Sequence, residues 1–497
     1  MYDLVAMSAG FQNLFTPDTI FFLILGFTLG FIVGAIPGFN DANLMSILLP
    51  FTLYISPKNA IISMSALYFA AQAAGAIPAI LINIPGTPGT AATVFEGYPM
   101  SQKGKSGFAL GISITASTIG SVFGATWAII LTPILGTVAL MFGPAEMFMV
   151  AVFGLTVVSA LTGDNMAKGL LAAVLGILIS LIGADSMTAF SRGTFGILEL
   201  EDGFPLVPPL LGLFGFSELL FLMRKSSVAK EGATDSMSQE DIMEGMRECI
   251  RHKLVLLRAC VAGTIIGIIP GAGATIGSFV AYGQAKQWSK SPEKYGTGFP
   301  EGLVASDSGN NAVAPAALIP LLTLGIPGSG STTIMLVTLM LHGVDPGPRF
   351  FLNFQADVWT ILFSMLISSL LIAAVGLPVA RYFKKVAFIP TQILVPIVAV
   401  LLFTGGFAWR FLPFDILLMV VFGLLGVIMK IYNYPIPALL LALILGPILE
   451  GNYLRAVRIG GFPILFESPI VLMFWALTVL SLFAPILTRR MSRINGA

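Results

Sequence analysis

From Thr19 to Ile36 the chain reads TIFFLILGFTLGFIVGAI, eighteen residues without a charged side chain. A helix needs roughly 20 apolar residues to cross the hydrocarbon core of a bilayer, and about a dozen such runs succeed one another along the sequence. Backbone polar groups cannot be left bare in hydrocarbon, so each run satisfies them internally as a helix. The chain is 56% hydrophobic and 10% charged, with mean hydropathy +0.92; a soluble protein would carry about 25% charge. These features predict an all-α polytopic membrane protein with about 10–14 transmembrane or re-entrant helices. The lipid bilayer is its solvent, and no soluble domain of any size is visible. A net charge of +1 gives no reason to expect nucleic acid as a partner.

Several of the apolar runs are broken by Pro-Gly pairs. Ala60 to Ile82 ends in INIPGTPGT, which carries Pro85, Gly86, Pro88 and Gly89. LGIPGSGST, Leu324 to Thr332, closes a later run in nearly the same words. The two match at an offset of 242 residues, with Thr90 set against Thr332. GAIPGF at Gly34 is echoed by GIIPGA at Gly267, and GPAEMFMVAVFGL (143–155) by LPFDILLMVVFGL (412–424). Three ordered matches indicate internal duplication. The expected organisation is a first membrane repeat over 1–223, an amphipathic surface linker helix over 224–253, and a second repeat with C-terminal spans over 254–497. In the linker, Ser238 followed by Asp241 signals a helix start, and Ile242, Met246, Ile250 and Leu254 recur at four-residue spacing. Arg381, Lys384 and Lys385, with Arg489, Arg490 and Arg493 near the C-terminus, belong in the cytoplasm by the positive-inside rule. The N-terminus has no basic region or cleavage site, reads as a short interfacial helix, and suits the periplasm. Opposite entry of the two halves makes the repeats inverted.

A helix broken at membrane depth must face a cavity, another helix or a ligand. Freed helix N-termini offer N–H groups and a positive dipole end to an anion, where a buried Lys or Arg would be costly; freed carbonyls suit Na⁺. The breaks at Pro37-Gly38, Pro85-Gly86, Pro270-Gly271 and Pro327-Gly328 therefore frame a candidate site. Its substrate-binding candidates are Gly38, Asn40, Asn43, Asn83, Pro85, Gly86, Thr87 and Thr90 in one half. In the other they are Gly271, Gly273, Pro327, Gly328, Ser329, Ser331 and Thr332. VASDSGNNAVAP, Val304 to Pro315, is the densest polar insertion in an apolar stretch. With Asp41, its Asp307, Asn310 and Asn311 are hard oxygen ligands, and Asp41, Asp307 and Asn310 are the candidates for Na⁺; a helix cap at a hairpin entrance is the alternative for this insertion. Glu96, Asp164, Lys168, Asp185 and Arg410 read as interfacial charges, Asp164 with Lys168 as an i,i+4 pair, and Glu146 and Asp415 as acids at helix N-termini.

Enzyme readings fail on specific residues. KGKS at 103–106 resembles the end of a P-loop, but Pro99 stands where the pattern needs Gly. His252 and His342 are far apart, and no H-E-x-x-H or G-x-S-x-G occurs. Cys249 and Cys260 have no ligand cluster beside them, so neither a disulfide framework nor a metal site is expected.

At the broken helices the sequence resembles the large membrane subunit of bacterial tripartite tricarboxylate transporters. The resemblance is carried by GAIPGFNDANLMSILLPFT, AIPAILINIPGTPGTAATVFEGYPMSQKGKSGFALG, GIIPGAGATIGSFVAYG and EGLVASDSGNNAVAPAALIPLLTLGIPGSGSTTIML. It implies a multi-pass protein of the bacterial inner (cytoplasmic) membrane that takes up carboxylates such as citrate on a cation gradient. It also implies a small membrane subunit and a periplasmic solute-binding protein as partners. The family's glycine-proline motifs fall on Gly34, Pro37 and Gly38, on Asn83, Pro85 and Gly86, on Gly267, Pro270 and Gly271, and on Pro327 and Gly328. Two departures stand at the candidate site: Asn40-Asp41-Ala42-Asn43 replaces a run like Gly-Pro-Ala-Thr, and Asp307 replaces a Glu. No cofactor is expected beyond a coupling ion, Na⁺ or H⁺. A channel or a structural scaffold is the competing reading.

Overall fold

The computed structural model describes residues 3–161, 165–184, 190–201, 203–224, 237–344, 346–383 and 391–495. In chain order the helices are α1 (Leu4–Leu14), α2 (Pro17–Gly34), α3 (Asp41–Thr52), α4 (Pro57–Ala74), α5 (Ala76–Ile82), α6 (Val94–Gln102), α7 (Ser106–Ala139), α8 (Pro144–Leu161), α9 (Met166–Ser180), α10 (Val207–Leu210) and α11 (Ser217–Met223). The second half holds α12 (Gln239–Arg251), α13 (Lys253–Ile268), α14 (Gly273–Trp288), α15 (Pro300–Ala316), α16 (Leu318–Leu324), α17 (Gly330–Leu341), α18 (Pro348–Asn353), α19 (Gln355–Phe383), α20 (Thr391–Ala408), α21 (Pro413–Ile431), α22 (Ile436–Gly460) and α23 (Pro469–Asn495). A two-stranded antiparallel hairpin, β1 (Gly183–Ala184) with β2 (Ser191–Arg192), is the sheet among the described residues. Among the described residues, six stretches are long and apolar enough to cross a membrane: Pro17–Gly34, Pro57–Ile82, Ser106–Ala139, Gln355–Val379, Pro413–Ile431 and Ile436–Gly460. Shorter apolar helices join them, and the protein is an all-α polytopic membrane protein.

The chain forms two compact units, residues 1–136 with 218–405 and residues 137–217 with 406–497. Each unit therefore draws on both halves of the sequence. In the first unit, α4 is buried from Asn59 onward except for half-buried Ser63, and every residue of α15 from Gly302 onward is buried. Close backbone packing explains how. Gly26, Gly30 and Gly34 line one face of α2, and a Cβ at any of them would run into the carbonyl oxygen of Ser63, Leu67 or Ala71 on α4. Gly263 and Gly267 place α13 against the carbonyls of Gly309 and Val313 on α15 in the same way. In lipid there is little hydrophobic gain between helices, so small residues that let backbones approach are the means of association. Large apolar side chains such as Leu254, Leu257, Val261 and Ile265 remain exposed along the outer side of α13.

α1 packs on α19, where the Thr360 hydroxyl donates to the Gly10 carbonyl at 3.1 Å. α12 begins where the sequence signal places it, with Ser238 and Asp241 closing a reciprocal cap. Its buried stripe, however, is Ile242, Gly245 and Cys249; Ile250 and Leu254, counted in the expected four-residue stripe, are 45% and 67% exposed. Gly245 is the reason: it lets α12 approach the Phe108 carbonyl on α7, and no periodicity of large apolar residues reports that approach. Burial pushes the Cys249 thiol well above its usual range. Lys384, Lys385 and the side chains of Arg381, Arg489, Arg490 and Arg493, on which the expected orientation rests, lie outside the described residues.

In the second unit, Gly143 N–H donates to Glu146 at 2.9 Å, an acid at the start of α8 as expected. Its repeat mate Asp415 also opens a helix, but it is fully buried and held by Arg410. Arg410 is thus an ion-pair partner and not a lone interfacial charge. Lys168 donates to the Tyr432 carbonyl at 2.7 Å and lies over the Tyr434 ring; Asp164, expected to pair with it, and Asp185 lie outside the described residues.

Candidate transport site

Two breaks in the first unit share a set of equivalent hydrogen bonds. α4 kinks into α5, which ends at Asn83 in the left-handed region (φ 59°), and Ile84 N–H donates to Pro78 O at 3.4 Å. α15 kinks into α16, which ends at Gly325 (φ 70°), and Ile326 N–H donates to Pro320 O at 3.3 Å. Thr87 caps the next turn reciprocally with Thr90, as Ser329 does with Thr332. All these pairs keep the 242-residue offset. The other two breaks match as well: Gly38 and Gly271 take φ of 80° and 74°. Gly273 N–H then donates to Gly328 O at 3.1 Å, tying the two breaks of the second repeat together.

Beyond the second break the repeats diverge. Ser329 opens α17, a full helix whose first turn holds Gly330, Ser331 and Thr332. Thr87 opens only the three-residue turn Pro88–Thr90, and α6 starts later, at Val94. A freed helix N-terminus is therefore present at the second repeat's break and not at the first's. At both breaks the capping residue's N–H faces a Thr hydroxyl, Thr87 to Thr90 at 3.4 Å and Ser329 to Thr332 at 2.7 Å, but at the first Gly86 N–H also donates to Gly75 O at 3.0 Å and is directed inward.

A buried polar chain joins the repeats. Asp41, the first residue of α3, is 2% exposed and accepts from the Ser331 hydroxyl on α17. Gln72 Nε2 lies 3.4 Å from both Asp41 oxygens. Gln72 Oε1 accepts from Thr87 Oγ1 at 3.1 Å, and the Gln72 carbonyl accepts from Asn310 Nδ2 at 3.5 Å. The Asn310 side-chain oxygen is buried without a donor. The Tyr68 hydroxyl is buried beside this chain, with Ser329 as its neighbour; Tyr68 and Asn310 occupy equivalent positions at the repeat offset.

Asp307, Asn310 and Asn311 sit in the middle of α15 and are fully buried. The hairpin-entrance cap considered for this stretch is thereby excluded, since α15 starts at Pro300, about two turns earlier. Asp307 accepts from Thr93, and Asn311 Nδ2 donates to Ser117 Oγ at 2.8 Å and to the Asp307 carbonyl at 3.0 Å.

Glu96 is a second correction. Expected at an interface, it is fully buried and accepts four hydrogen bonds: from Tyr282 Oη at 2.8 Å, Gly296 N at 2.6 Å, Gly298 N at 2.8 Å and Phe299 N at 2.7 Å. It pins the turn that leads into α15. Among the described residues of this unit, the buried charged side chains are Asp41, Glu96 and Asp307, and no Lys, Arg or His is buried. No group of three His, Cys, Asp or Glu side chains placed to hold a metal occurs among the described residues.

A family model described as "Tripartite tricarboxylate transporter TctA family" matches residues 20–441. The chain belongs to that family. The TctA family is a transporter family, and membership makes this chain the large membrane subunit of a tripartite tricarboxylate transporter. An Agrobacterium vitis protein described as an uncharacterized 52.8 kDa protein in the TAR-I ttuC' 3' region is 35% identical over 462 residues, 93% of this chain and 91% of that protein. A second A. vitis protein, from the TAR-II ttuC' 3' region, is 36% identical over 211 residues, 42% of this chain and 87% of its own length. No solved structure matches the chain.

Within this TctA-family subunit, Asp41, Thr87, Ser331 and Asn310 meet through Gln72, and Thr90 joins them by donating to Gly75 O at 3.1 Å. Asn40 caps α3, its side chain accepting from Asn43 N–H at 3.0 Å. Asn83 is exposed at the end of α5 and stands apart from the buried chain. Gln72, Tyr68, Thr93, Ser113 and Ser117 are absent from the sequence-based set. Gln72 did leave a signal, as the amide inside the otherwise small and apolar YFAAQAAGA of α4.

Proposed function

We propose that this subunit carries a small carboxylate of the tricarboxylate or dicarboxylate class through the bacterial inner membrane by cation symport. A periplasmic solute-binding protein delivers the substrate, a small membrane subunit accompanies the chain, and the two repeats are inverted. One observation carries the reading: the buried charges where the repeats meet are acidic, with no buried cationic side chain among the described residues to balance them. An anion entering next to Asp41 and Asp307 meets like charge in a poorly screened interior. It is held there only with cations or protons beside it, which couples its passage to theirs. The α17 N-terminus supplies neutral donors for the carboxylate; the Ser331 and Thr87 hydroxyls, which donate to Asp41 and Gln72 here, join it by turning from those partners, and Asp41, lying against Ser331, sets where it stops.

The test is uptake of a panel of labelled carboxylates into vesicles, with the cognate binding protein, in Na⁺ or Na⁺-free buffer. Saturable uptake that needs both the binding protein and an ion gradient is expected. Uptake that survives collapse of the gradient, or flux that never saturates, refutes symport in favour of a channel.

A further inference from the structure

Asp307 raises a question that the polar chain around Asp41 does not answer. Its Oδ1 accepts from Thr93, yet its Oδ2 is buried with no donor. Asn311, one turn on, spends its amide nitrogen on Ser117 and on the Asp307 carbonyl, and its side-chain oxygen is also buried without a donor. Ser113 of α7 and Ser306 of α15 bring hydroxyls to the Asp307 carboxylate, and the buried Ser113 hydroxyl completes no hydrogen bond of normal geometry there. Ser113 and Ser117 are four residues apart and so face the same way from α7. Three helical segments thus present oxygen atoms to one another, and among the described residues no Lys, Arg or His acts on the carboxylate.

Buried acceptors without donors are costly, at about 1–3 kcal/mol each, and an unpaired buried carboxylate costs more. Such a set is stabilised by a hard cation, which prefers carboxylate, amide and hydroxyl oxygens. One carboxylate balances one positive charge; a divalent ion would leave a buried excess. Asp41 does not share this surrounding: its partners are Ser331 and Gln72, and neither of them is a partner of Asp307. The two carboxylates are also unrelated by the repeat. The equivalent of Asp307 is Ser65, whose hydroxyl is already satisfied by the Ile62 carbonyl at 3.0 Å, and the equivalent of Asp41 is Ala274.

We propose that Asp307, Asn311, Ser113 and Thr93 form a binding site for one monovalent cation, Na⁺, distinct from the Asp41 chain, where the carboxylate stops. This rests on the symport reading in taking the ion as the coupling ion, but its test uses the ion alone. Thr93 comes from the first repeat and Asp307 from the second, so an ion here clamps the two together.

The experiment measures binding of radiolabelled Na⁺ to the purified full-length chain, together with the Na⁺-dependent rise in its thermal midpoint against K⁺ and choline. Saturable binding is expected for the native chain, lost in Asp307→Asn and weakened about tenfold in Ser113→Ala, the effect of losing one oxygen contact of about 1.4 kcal/mol. Asp241→Asn, which removes an acid on α12, retains it. If Asp307→Asn does not fold, Ser113→Ala and Thr93→Ala carry the test. Native Na⁺ affinity in both hydroxyl variants overturns the proposal. So does loss in Asp41→Asn with retention in Asp307→Asn, or a native chain that responds to pH and not to Na⁺. Failure of carboxylate uptake with Na⁺ binding intact would instead sink the transport reading and leave the cation site standing.

Discussion

A single methyl group at each of the two equivalent breaks separates how tightly they are built. A Cβ added at Gly86 meets the Gly34 carbonyl oxygen and lies 2.7 Å from Gly75 Cα and 3.1 Å from Gly75 O. All three are main-chain atoms, so relief requires parting α2 from the α4–α5 joint and lengthening the 3.0 Å bond from Gly86 N–H to Gly75 O. At Gly328 the neighbours are Ala317 Cβ at 2.8 Å, Ala317 Cα at 3.0 Å and Gly267 O at 3.1 Å. Overpacking costs about 1–3 kcal/mol. Gly328→Ala falls in the middle, at about 2 kcal/mol. Gly86→Ala takes the upper end and adds a weakened buried hydrogen bond, about 4 kcal/mol together. Ala317→Gly in the Gly328→Ala background removes the nearest atom and recreates the Gly75 joint of the first repeat. It recovers about 1 kcal/mol after the cost of another glycine at the kink. Thermal midpoints in detergent, at roughly 2 °C per kcal/mol, should fall by about 8 °C and 4 °C, with about 2 °C regained in the double variant. Equal or reversed losses, or no recovery with Ala317→Gly, refute the packing argument. Gly86→Val and Gly328→Val should abolish uptake while the protein stays in the membrane.

Glu96→Ala leaves four donors without their acceptor and should cost about 3 kcal/mol, whereas Tyr282→Phe, which loses one of the four bonds, should cost about 1; equal midpoints for the two variants would contradict the latch. Arg410→Ala strands the fully buried Asp415 carboxylate and should cost about 3 kcal/mol, but Asp415→Asn leaves an arginine that is 25% exposed and can reach water, for about 1 kcal/mol. The proposed inverted arrangement predicts that cysteines placed at Lys58, in the first turn of α4, and at Lys294, before α15, react with impermeant reagents from opposite sides of the membrane. Native Cys249 and Cys260 are buried and give little background. Labelling of both positions from one side would rule inversion out.

The long helices and their breaks were legible because both are local properties: an apolar run and a Pro-Gly pair need no distant partner to be read. The offset of the repeat was legible for the same reason, and the αL residues Asn83 and Gly325 sit where that offset puts them. What the sequence hid depends on residues far apart. Glu96 looks like a span-end charge until Gly296, Gly298 and Phe299, 200 or more residues away, supply donors. Ser113 and Ser117 look like ordinary small residues of an apolar helix until α15 is laid against them. The buried face of α12 escapes its apolar periodicity because its closest approach is made by glycine, which carries no hydrophobic signal.

The same separation of sites bears on how ion and substrate are linked. Asn310 stands beside Asn311 on α15, and its amide reaches the Gln72 carbonyl; Gln72 in turn holds Asp41 and Thr87. An ion that fixes Asp307 and Asn311 therefore fixes the turn of α15 from which Asn310 reaches the Asp41 chain, and it offsets negative charge where the carboxylate must come. Both effects act in one direction, so Na⁺ should tighten carboxylate binding, and linkage requires that the carboxylate tighten Na⁺ binding by the same factor, of order 5–150. Asn310→Ala removes the structural route but keeps the charge. It should lower that factor several-fold without abolishing it, because the electrostatic part remains. Titrating Na⁺ with and without the carboxylate that uptake identifies, in native and Asn310→Ala protein, decides the matter. A factor near one in the native chain means the ion and the anion bind independently, and an unchanged factor in Asn310→Ala means the coupling is electrostatic alone.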